Sequence, residues 1–305
     1  MTMTLRDRTA LLRQWIKPSS DSEQQRQDRA VRMIENAIKA HAEFSGTPIR
    51  VYAKGSYANK TNVRLDSDVD IVVENHDCQH FDYHGDYERP ARTGNPYEGK
   101  WTPEKWRKEV TRALQGYFGD SDVDASGEVA LAISEVTGSR PSADVVPSFD
   151  YRRYDDPNRR LAHSGSKVFK KSGGEVVNWP KQQLENGREK NGGWFGTGGR
   201  YKNYVRALKN AENALTRIGA IEPLPSYLME CLVWNVPNTV LTKSDLDRGF
   251  RATLQWLNEN LDSSRFDQES WEEPNQLKYL FGSHQKWTVT NARTLISATW
   301  TLLEY

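Results

Sequence analysis

From residue 68 the chain reads Asp-Val-Asp-Ile-Val-Val-Glu, and this stretch carries the strongest structural signal in the sequence. Its β-branched residues predict a strand. Successive side chains on a strand point to opposite faces, so Asp68 and Asp70 share one face while the apolar residues that alternate with them face the other way. Carboxylates are suitable hard ligands for Mg²⁺, and two on one face can share metal ions.

Two further segments extend this pattern. A β-rich run at 48–53 leads into Gly55-Ser56, and eleven residues separate Ser56 from Asp68. A glycine lets the backbone approach a triphosphate, and the serine hydroxyl with the following N–H groups can hold phosphate oxygens. Asp144 stands among apolar neighbours in a second predicted strand, which Pro147 is expected to end. Each motif alone is common as a turn or a solvated strand face, but the ordered combination predicts two-metal phosphoryl transfer.

The remaining elements follow from hydrophobic periodicity and capping signals. Ser20 and Glu23 form a possible capping box at the start of a helix over 20–42, and Thr102-Pro103 starts another. Residues 128–136 give a further strand candidate. The polar segment 75–100 is predicted to be a loop or insertion, and the glycine-rich segment 187–200 a mobile loop. Helices are predicted after these segments, over 201–219, 226–236, 244–261 and 290–303.

Composition narrows the class of protein. The chain has 305 residues, a formal net charge of +1 and 10% aromatic residues, which indicates a folded protein without a global field for nucleic acid or acidic membranes. It has two cysteines, and we find neither a signal peptide nor an apolar run of membrane-spanning length, so we expect a soluble cytoplasmic protein without membrane partners. His76, Cys78, His80 and His84 cluster in sequence, but their spacing fits no common zinc pattern and favours a polar surface loop.

In its ordered motifs the chain resembles the DNA polymerase β-like nucleotidyltransferases, whose pattern is Gly-Ser, a spacer, Asp-x-Asp and a distant third Asp. Within that superfamily it looks like the cGAS/DncV-like nucleotidyltransferases (CD-NTases). The narrower resemblance rests on Arg-Tyr-Lys-Asn-Tyr-Val-Arg-Ala-Leu-Lys at 200–209, similar to the helix that carries the triphosphate-binding lysine. It also rests on Pro-Ser-Tyr-Leu-Met-Glu at 225–230, similar to the Ser-Tyr/Phe-x-x-Glu helix start.

The resemblance implies an α+β fold. A polymerase β-like lobe, with a mixed sheet and a long spine helix, would face a helical C-terminal lobe across an active-site cleft. We place the nucleotidyltransferase core at 1–160 and the helical, oligoadenylate-synthase-like lobe at 161–305, as one bilobal unit. By position, three carboxylates would bind two Mg²⁺ ions (Mn²⁺ is an alternative) and carry catalysis: Asp68, Asp70 and Asp144. Nucleotide-binding positions would be Gly55, Ser56, Lys209 and Ser226 at the triphosphate and Tyr227 stacked on a base.

Several of these positions have a plainer alternative. Ser226 can simply cap its helix, and Tyr227 can be a core aromatic. Lys202 and Arg206, on the same helix as Lys209, are predicted to be a solvated charge stripe. Trp194-Phe195 can be a lid over nucleotides or a hydrophobic anchor for its loop.

The resemblance implies a cyclic oligonucleotide synthase that makes a second messenger from NTPs, with ATP, GTP or pyrimidine NTPs as substrates, and releases pyrophosphate. It also implies bacterial antiphage (CBASS) signalling, with a protein regulator or effector as a partner. We expect no requirement for nucleic acid, because no zinc-binding cysteine cluster resembles the DNA-gripping insertion of animal cyclic GMP-AMP synthase. A linear-oligonucleotide or small-molecule nucleotidyltransferase is the nearest alternative, and a catalytically inactive nucleotide sensor is an alternative of another class.

Overall fold

The computed structural model describes residues 3–63, 68–85, 97–158, 160–192, 195–243, 245–262 and 266–305. In chain order the strands are β1 Ile49–Ala53, β2 Val69–Tyr83, β3 Val123–Asp124, β4 Leu131–Ile133, β5 Ala143–Tyr154, β6 Ala162–Phe169 and β7 Glu175–Asn178. The helices are α1 Leu5–Trp15, α2 Asp21–Ala40, α3 Gly55–Asn59, α4 Pro103–Phe118, α5 Pro180–Gly192, α6 Arg200–Arg217, α7 Ser226–Asn235, α8 Asn238–Leu241, α9 Leu246–Asn260 and α10 Val289–Leu302.

Contacts divide the chain into two compact units. The sheet unit comprises Ser20–Tyr57 and Ser67–Lys181, and the helical unit comprises Met1–Ser19, Ala58–Asp66 and Gln182–Tyr305. This division differs from a single boundary at residue 160. The reason is that β6 pairs with β5 and β7 pairs with β6, which keeps both with the sheet, whereas Leu12 of α1 lies in the core of the helical unit.

The sheet is mixed, with the order β1-β2-β5-β4-β3 along its main path. Strand β2 runs antiparallel to β1 and parallel to β5. Alternate residues of these strands, such as Ile71 and Val145, enter a core with Ile34 of α2 and Trp106 of α4. Asp70 alternates with these core residues along β2 and therefore lies on the opposite face of the sheet. The capping box of α2 and the Thr102 cap of α4 are formed as predicted.

Two sheet predictions were wrong. Residues 75–83 were predicted to be a loop but belong to β2, which pairs with β5 on both sides of a bulge at 76–78. Pro147 was expected to end its strand, yet β5 continues to Tyr154. On the edge of β5 away from β2, pairing with β4 ends at Val145 and pairing with β6 begins at Phe149. Pro147 lies between these two paired stretches, so its missing N–H removes no hydrogen bond to β4 or to β6.

The helical unit has its own apolar core, with Leu208 of α6, Leu232 of α7, Phe250 of α9 and Leu295 of α10 fully buried. The four predicted helices of this region are confirmed as α6, α7, α9 and α10, within a few residues at their ends. The predicted loop at 187–200 is partly wrong, because helix α5 runs to Gly192. Within the described ranges, no helix is long and apolar enough to cross a membrane.

Candidate active site

The site is built from adjacent positions on two parallel strands. Asp70 of β2 and Asp144 of β5 are direct register partners, so their side chains project side by side from the same sheet face. Both are only partly buried, while Val69 and Val145 on the opposite face are fully buried in the core. The apolar half of each strand thus fixes its orientation and holds the two carboxylates next to each other.

Asp68 precedes β2 and is exposed. Its Oδ1 accepts a hydrogen bond from the hydroxyl of Ser142, the residue before β5. A backbone bond of 3.0 Å from the N–H of Val69 to the carbonyl of Ser142 closes the same end of the strand pair. Asp68 is therefore held beside the Asp70–Asp144 pair, and Ser142 is a site residue that the sequence reasoning missed. Its position one residue before the Asp144 strand was the available signal.

Gly55 lies against this carboxylate pair. Its φ is +66°, and a Cβ built on it would come within 2.4 Å of Oδ2 of Asp70. The backbone N–H of Lys54 donates to the Asp70 carbonyl at 2.9 Å, which keeps the end of β1 next to the carboxylates. Gly55 and Ser56 begin the short helix α3, so the structure brings the predicted Gly-Ser turn and the three aspartates together in one unit.

Charge in this group is unbalanced. The pKa of Asp144 is raised, first by burial and then by the negative charges of Asp68 and Asp70, with a smaller opposing effect from Lys54. Closely spaced carboxylates repel each other when ionised, and a bound cation relieves that repulsion. Three oxygen donors with excess negative charge are the ligand set that Mg²⁺ and Mn²⁺ prefer. The residues therefore fit the metal that the resemblance implies.

The other predicted nucleotide-binding residues lie in the helical unit. Lys209 on α6 is buried, with 3% of its surface exposed. Ser226 is exposed at the first position of α7, and the N-cap of this helix is Pro225, so Ser226 does not occupy the cap position. Tyr227 donates to Oε2 of Glu273 at 3.2 Å and packs against the ring of Trp287. Their roles in nucleotide binding stay predictions.

The charge stripe on α6 is not solvated as predicted. Arg206 is 6% exposed and donates to the carbonyls of Ile16 and Lys60 at 2.7 and 2.6 Å, and burial lowers its pKa to about 10. Burial also lowers the pKa of Lys202; the charge of Glu230 opposes this shift, and the charges of Arg188, Lys60 and Arg206 add to it. The helical unit therefore collects several cations around residue 202. Periodicity alone missed this because these cations come from distant parts of the chain.

A buried carboxylate organises the segment after the Gly-Ser turn. Glu230 of α7, 2% exposed, accepts hydrogen bonds from Asn59 Nδ2 at 3.0 Å, Thr61 Oγ1 at 2.8 Å and Gln183 Nε2 at 2.8 Å. Three donors on one buried carboxylate compensate for its lost hydration. Glu230 is the Glu of the Ser-Tyr-x-x-Glu helix start. Its three hydrogen bonds within the helical unit explain the presence of a glutamate at this position of the motif. Phe195, by contrast, is 84% exposed, so its ring is not buried as a hydrophobic anchor would be, and Trp194 lies outside the described residues.

Comparison with known proteins gives this arrangement a family. Residues 185–304 match the profile described as the cGAS/DncV-like nucleotidyltransferase C-terminal helical domain. The chain is 36% identical to a cyclic dipyrimidine nucleotide synthase, CdnE, of Legionella pneumophila over 298 residues, covering 96% of each protein. This chain belongs to the cGAS/DncV-like nucleotidyltransferases.

Two further relatives extend the comparison. The cyclic dipyrimidine nucleotide synthase CdnE of Cecembia lonarensis is 33% identical, over 96% of this chain and 97% of that one. The structure of the Rhodothermus marinus CdnE c-UMP-AMP synthase with Apcpp and Upnpp superposes with a TM-score of 0.81 and 28% identity, covering 97% of this CD-NTase and 96% of that chain. The expected α+β fold with a mixed sheet and a helical C-terminal part is thereby confirmed.

Proposed function

We propose that this CD-NTase joins two NTPs into a cyclic dinucleotide, releasing pyrophosphate at each bond, and that the product contains at least one pyrimidine. The proposal rests mainly on the pairing of Asp70 with Asp144 beside Gly55. The two carboxylates could hold the metal ions that accompany a triphosphate, and Gly55 leaves space for the triphosphate next to the backbone. The choice of bases is supported by the names of the relatives, two dipyrimidine synthases and one c-UMP-AMP synthase.

Each transfer forms a bond between an acceptor hydroxyl oxygen and the α-phosphorus of the donor, and breaks the bond from that phosphorus to the bridging oxygen of pyrophosphate. In the proposal Asp144 lies against the attacking hydroxyl and helps to activate it by accepting its proton. Asp68 and Asp70 would hold two divalent ions with Asp144. Mg²⁺ bound there would neutralise phosphate charge and align the reacting oxygens.

Nucleotide binding is assigned to five residues. Gly55 allows close approach of the triphosphate to the backbone, and Ser56 would donate its hydroxyl to a phosphate oxygen. Lys209 and Ser226 would contact the donor triphosphate, and Tyr227 would stack on a base. The proposal also includes antiphage signalling in the bacterial cytoplasm, a protein regulator or effector as partner, and no requirement for nucleic acid.

The deciding experiment is to incubate purified protein with all four labelled NTPs and Mg²⁺, then to treat the products with phosphatase. A cyclic product resists phosphatase because it has no terminal phosphate, and omission of UTP and CTP should abolish or shift it. Phosphatase-sensitive products alone would favour the linear-oligonucleotide alternative. Absence of product under every NTP combination, with NTP binding retained, would favour the inactive sensor.

A further inference from the structure

Farther along the same two strands lies a cluster of metal-binding side chains that the nucleotidyl-transfer site does not use. Glu74 and His76 of β2 and Asp150 of β5 each offer a donor atom, and these atoms all lie within 4.8 Å of one another. Glu74 is four residues beyond Asp70, which corresponds to about 13 Å along a strand. The cluster is therefore separate from the three aspartates.

A break in the strand pairing places His76 in this cluster. Asn75 pairs with Phe149 and Gln79 pairs with Asp150, so β2 has three additional residues, His76, Asp77 and Cys78, opposite a continuous stretch of β5. The side-chain oxygen of Asn75 holds this bulge by accepting from the N–H groups of Asp77 at 2.8 Å and Cys78 at 3.3 Å. Bulges of this kind redirect side chains and occur near functional sites.

The geometry is compatible with one shared cation. His76 Nδ1 is 4.0 Å from Asp150 Oδ2, too long for a hydrogen bond but within the separation of two donor atoms that each lie about 2.1 Å from the same ion. His76 Nε2 lies 2.7 Å from Glu74 Oε1, so an ion shared by all three side chains would use one ring nitrogen and would require a rotamer change of His76 or Glu74. Glu74 and Asp150 are 5% and 6% exposed, so an ion would be largely shielded from water.

The carboxylates also have supporting hydrogen bonds of the kind found behind metal ligands. The Tyr52 hydroxyl donates to Glu74 Oε2 at 2.8 Å, and Gln79 Nε2 donates to Asp150 Oδ2 at 2.7 Å. Such outer contacts orient metal ligands. Arg152 Nε, 3.7 Å from Asp150 Oδ2, offsets part of the negative charge.

A second observation indicates a missing ligand. Ser148 is 0% exposed, and its hydroxyl has no hydrogen-bond partner among the described residues. It is the register partner of Glu74, so the two side chains project from the same sheet face. A fully buried hydroxyl without a partner is costly, and a metal-bound water would give it one.

We propose that Glu74, His76 and Asp150 form a second metal site, which binds a first-row transition-metal dication such as Zn²⁺. One imidazole nitrogen with two carboxylates suits Zn²⁺ and its neighbours in the series better than Mg²⁺, which favours oxygen ligands. The site would fix the bulged part of β2 to β5 through bonds that the ladder itself lacks there.

The test uses chelator-treated Asp68→Asn, Asp70→Asn protein, so that the proposed catalytic metal site is removed and the result does not depend on nucleotidyl transfer. Calorimetric titration with Zn²⁺ should show one ion per chain. His76→Gln in this background should weaken Zn²⁺ binding about 100-fold or more, and Tyr52→Phe, which keeps all three ligands, about tenfold. Co²⁺ should give visible absorption bands that His76→Gln removes.

His163→Gln is the matched control. His163 also lies on the sheet and bonds a carboxylate, Asp155 Oδ2 at 3.0 Å, so its loss should leave Zn²⁺ affinity unchanged. Circular dichroism establishes that each variant is folded. If folded background protein binds neither Zn²⁺ nor Co²⁺, or binds them equally after His76→Gln and Tyr52→Phe, the cluster is an ion-pair group only and the proposal is wrong.

Discussion

Gly55 and Asp70 lie so close together that a methyl group on Gly55 would stand 2.4 Å from the carboxylate oxygen Oδ2 of Asp70. Gly55→Ala should therefore displace Asp70 from its partner Asp144 and reduce turnover at least about tenfold, a barrier change of ~1.4 kcal/mol. The measurement is the initial rate of product formation from NTPs and Mg²⁺.

Gly46→Ala separates this contact from backbone strain. Gly46 also has a positive φ, +76°, but a Cβ there would meet nothing within 4 Å. Both substitutions carry the left-handed penalty of roughly 1–2 kcal/mol, so both should lower thermal stability, and only Gly55→Ala should impair catalysis. Equal losses of activity in the two variants would show that the Gly55–Asp70 contact is irrelevant.

The carboxylates themselves are tested by Asp68→Asn combined with Asp70→Asn. The double variant should stay folded and lose activity, because amides neither bind divalent ions well nor balance their charge. Thermal stability should hold or rise, since a repulsive pair of charges is removed. Asp120→Asn, at an exposed position of the same unit, serves as a control. If the double variant keeps activity within about tenfold of wild type, Asp68 and Asp70 do not hold the catalytic metal ions.

The raised pKa of Asp144 predicts a specific pH dependence of stability. Ionisation of this carboxyl is less favourable in the folded state than in the unfolded state. The neutral form of Asp144 therefore contributes to folding stability; this contribution is fully present below the ordinary pKa near 3.8 and is lost as pH rises through the pKa of the folded state. In chelator, Asp144→Asn should raise the melting temperature at neutral pH, with the difference shrinking towards pH 4.

Asp124→Asn is the comparison variant, for which we expect the opposite effect of pH on stability. Hydrogen bonds from Ser126 lower the pKa of Asp124, so its ionised form favours the folded state above the ordinary pKa. Thermal unfolding scans from pH 4 to pH 8 should show no gain in stability for Asp124→Asn. If Asp144→Asn melts below wild type at neutral pH, the repulsion inferred among the three aspartates is not present.

Lys209 is predicted to bind the donor triphosphate. A charge-assisted contact to phosphate contributes on the order of 1.5–3 kcal/mol, so Lys209→Ala should weaken NTP binding about tenfold or more. Because Lys209 is buried, Lys209→Met, which keeps the apolar stem, guards against a general packing defect. Arg217→Ala removes an exposed cation from the same helix and should bind normally. Unchanged NTP affinity of folded Lys209→Ala in calorimetry would exclude the assignment.

Activity is predicted not to require DNA or RNA. Duplex binding depends on neutralising several phosphates, and this chain carries one excess positive charge in total. Nuclease-treated protein should therefore form the same amount of product with and without added duplex DNA. An enzyme that is silent until DNA is added would direct attention to the basic stretch 152–171 as a DNA-binding surface.

The sequence predicted the elements whose signals are local. Val69 and Ile71 alternate with Asp68 and Asp70, and Ser20 with Glu23 marks a helix start, so neither feature needs information from elsewhere in the chain. The second half of β2 escaped prediction because its residues are polar and bulged, and only pairing with β5 makes them a strand. Helix α5 had a usable signal, Pro180 at its first position followed by strong helix formers, which Gly187 obscured.

Site geometry was predictable only where it follows from the alternation of side chains within one strand. The two-residue spacing of Asp68 and Asp70 gives a shared face, but their proximity to Asp144 depends on β2 and β5 being parallel neighbours. Glu74 and Asp150 could not be paired in advance for the same reason. Burial of Lys209 and Arg206 depends on how α6 packs within the helical unit, which periodicity does not specify.

The path of the chain through its two units limits how this protein can be cut or recombined. The helical unit takes residues from the N-terminus, from 58–66 and from the whole C-terminal part, so the chain leaves the sheet unit after Tyr57 and returns at Ser67. Every single cut within the chain divides the helical unit, because that unit includes both ends of the chain, and a cut after Lys181 keeps the whole sheet unit but leaves residues 1–19 and 58–66 of the helical unit attached to it. Exchange of the helical unit between relatives would therefore require three separate stretches of the chain to be replaced together.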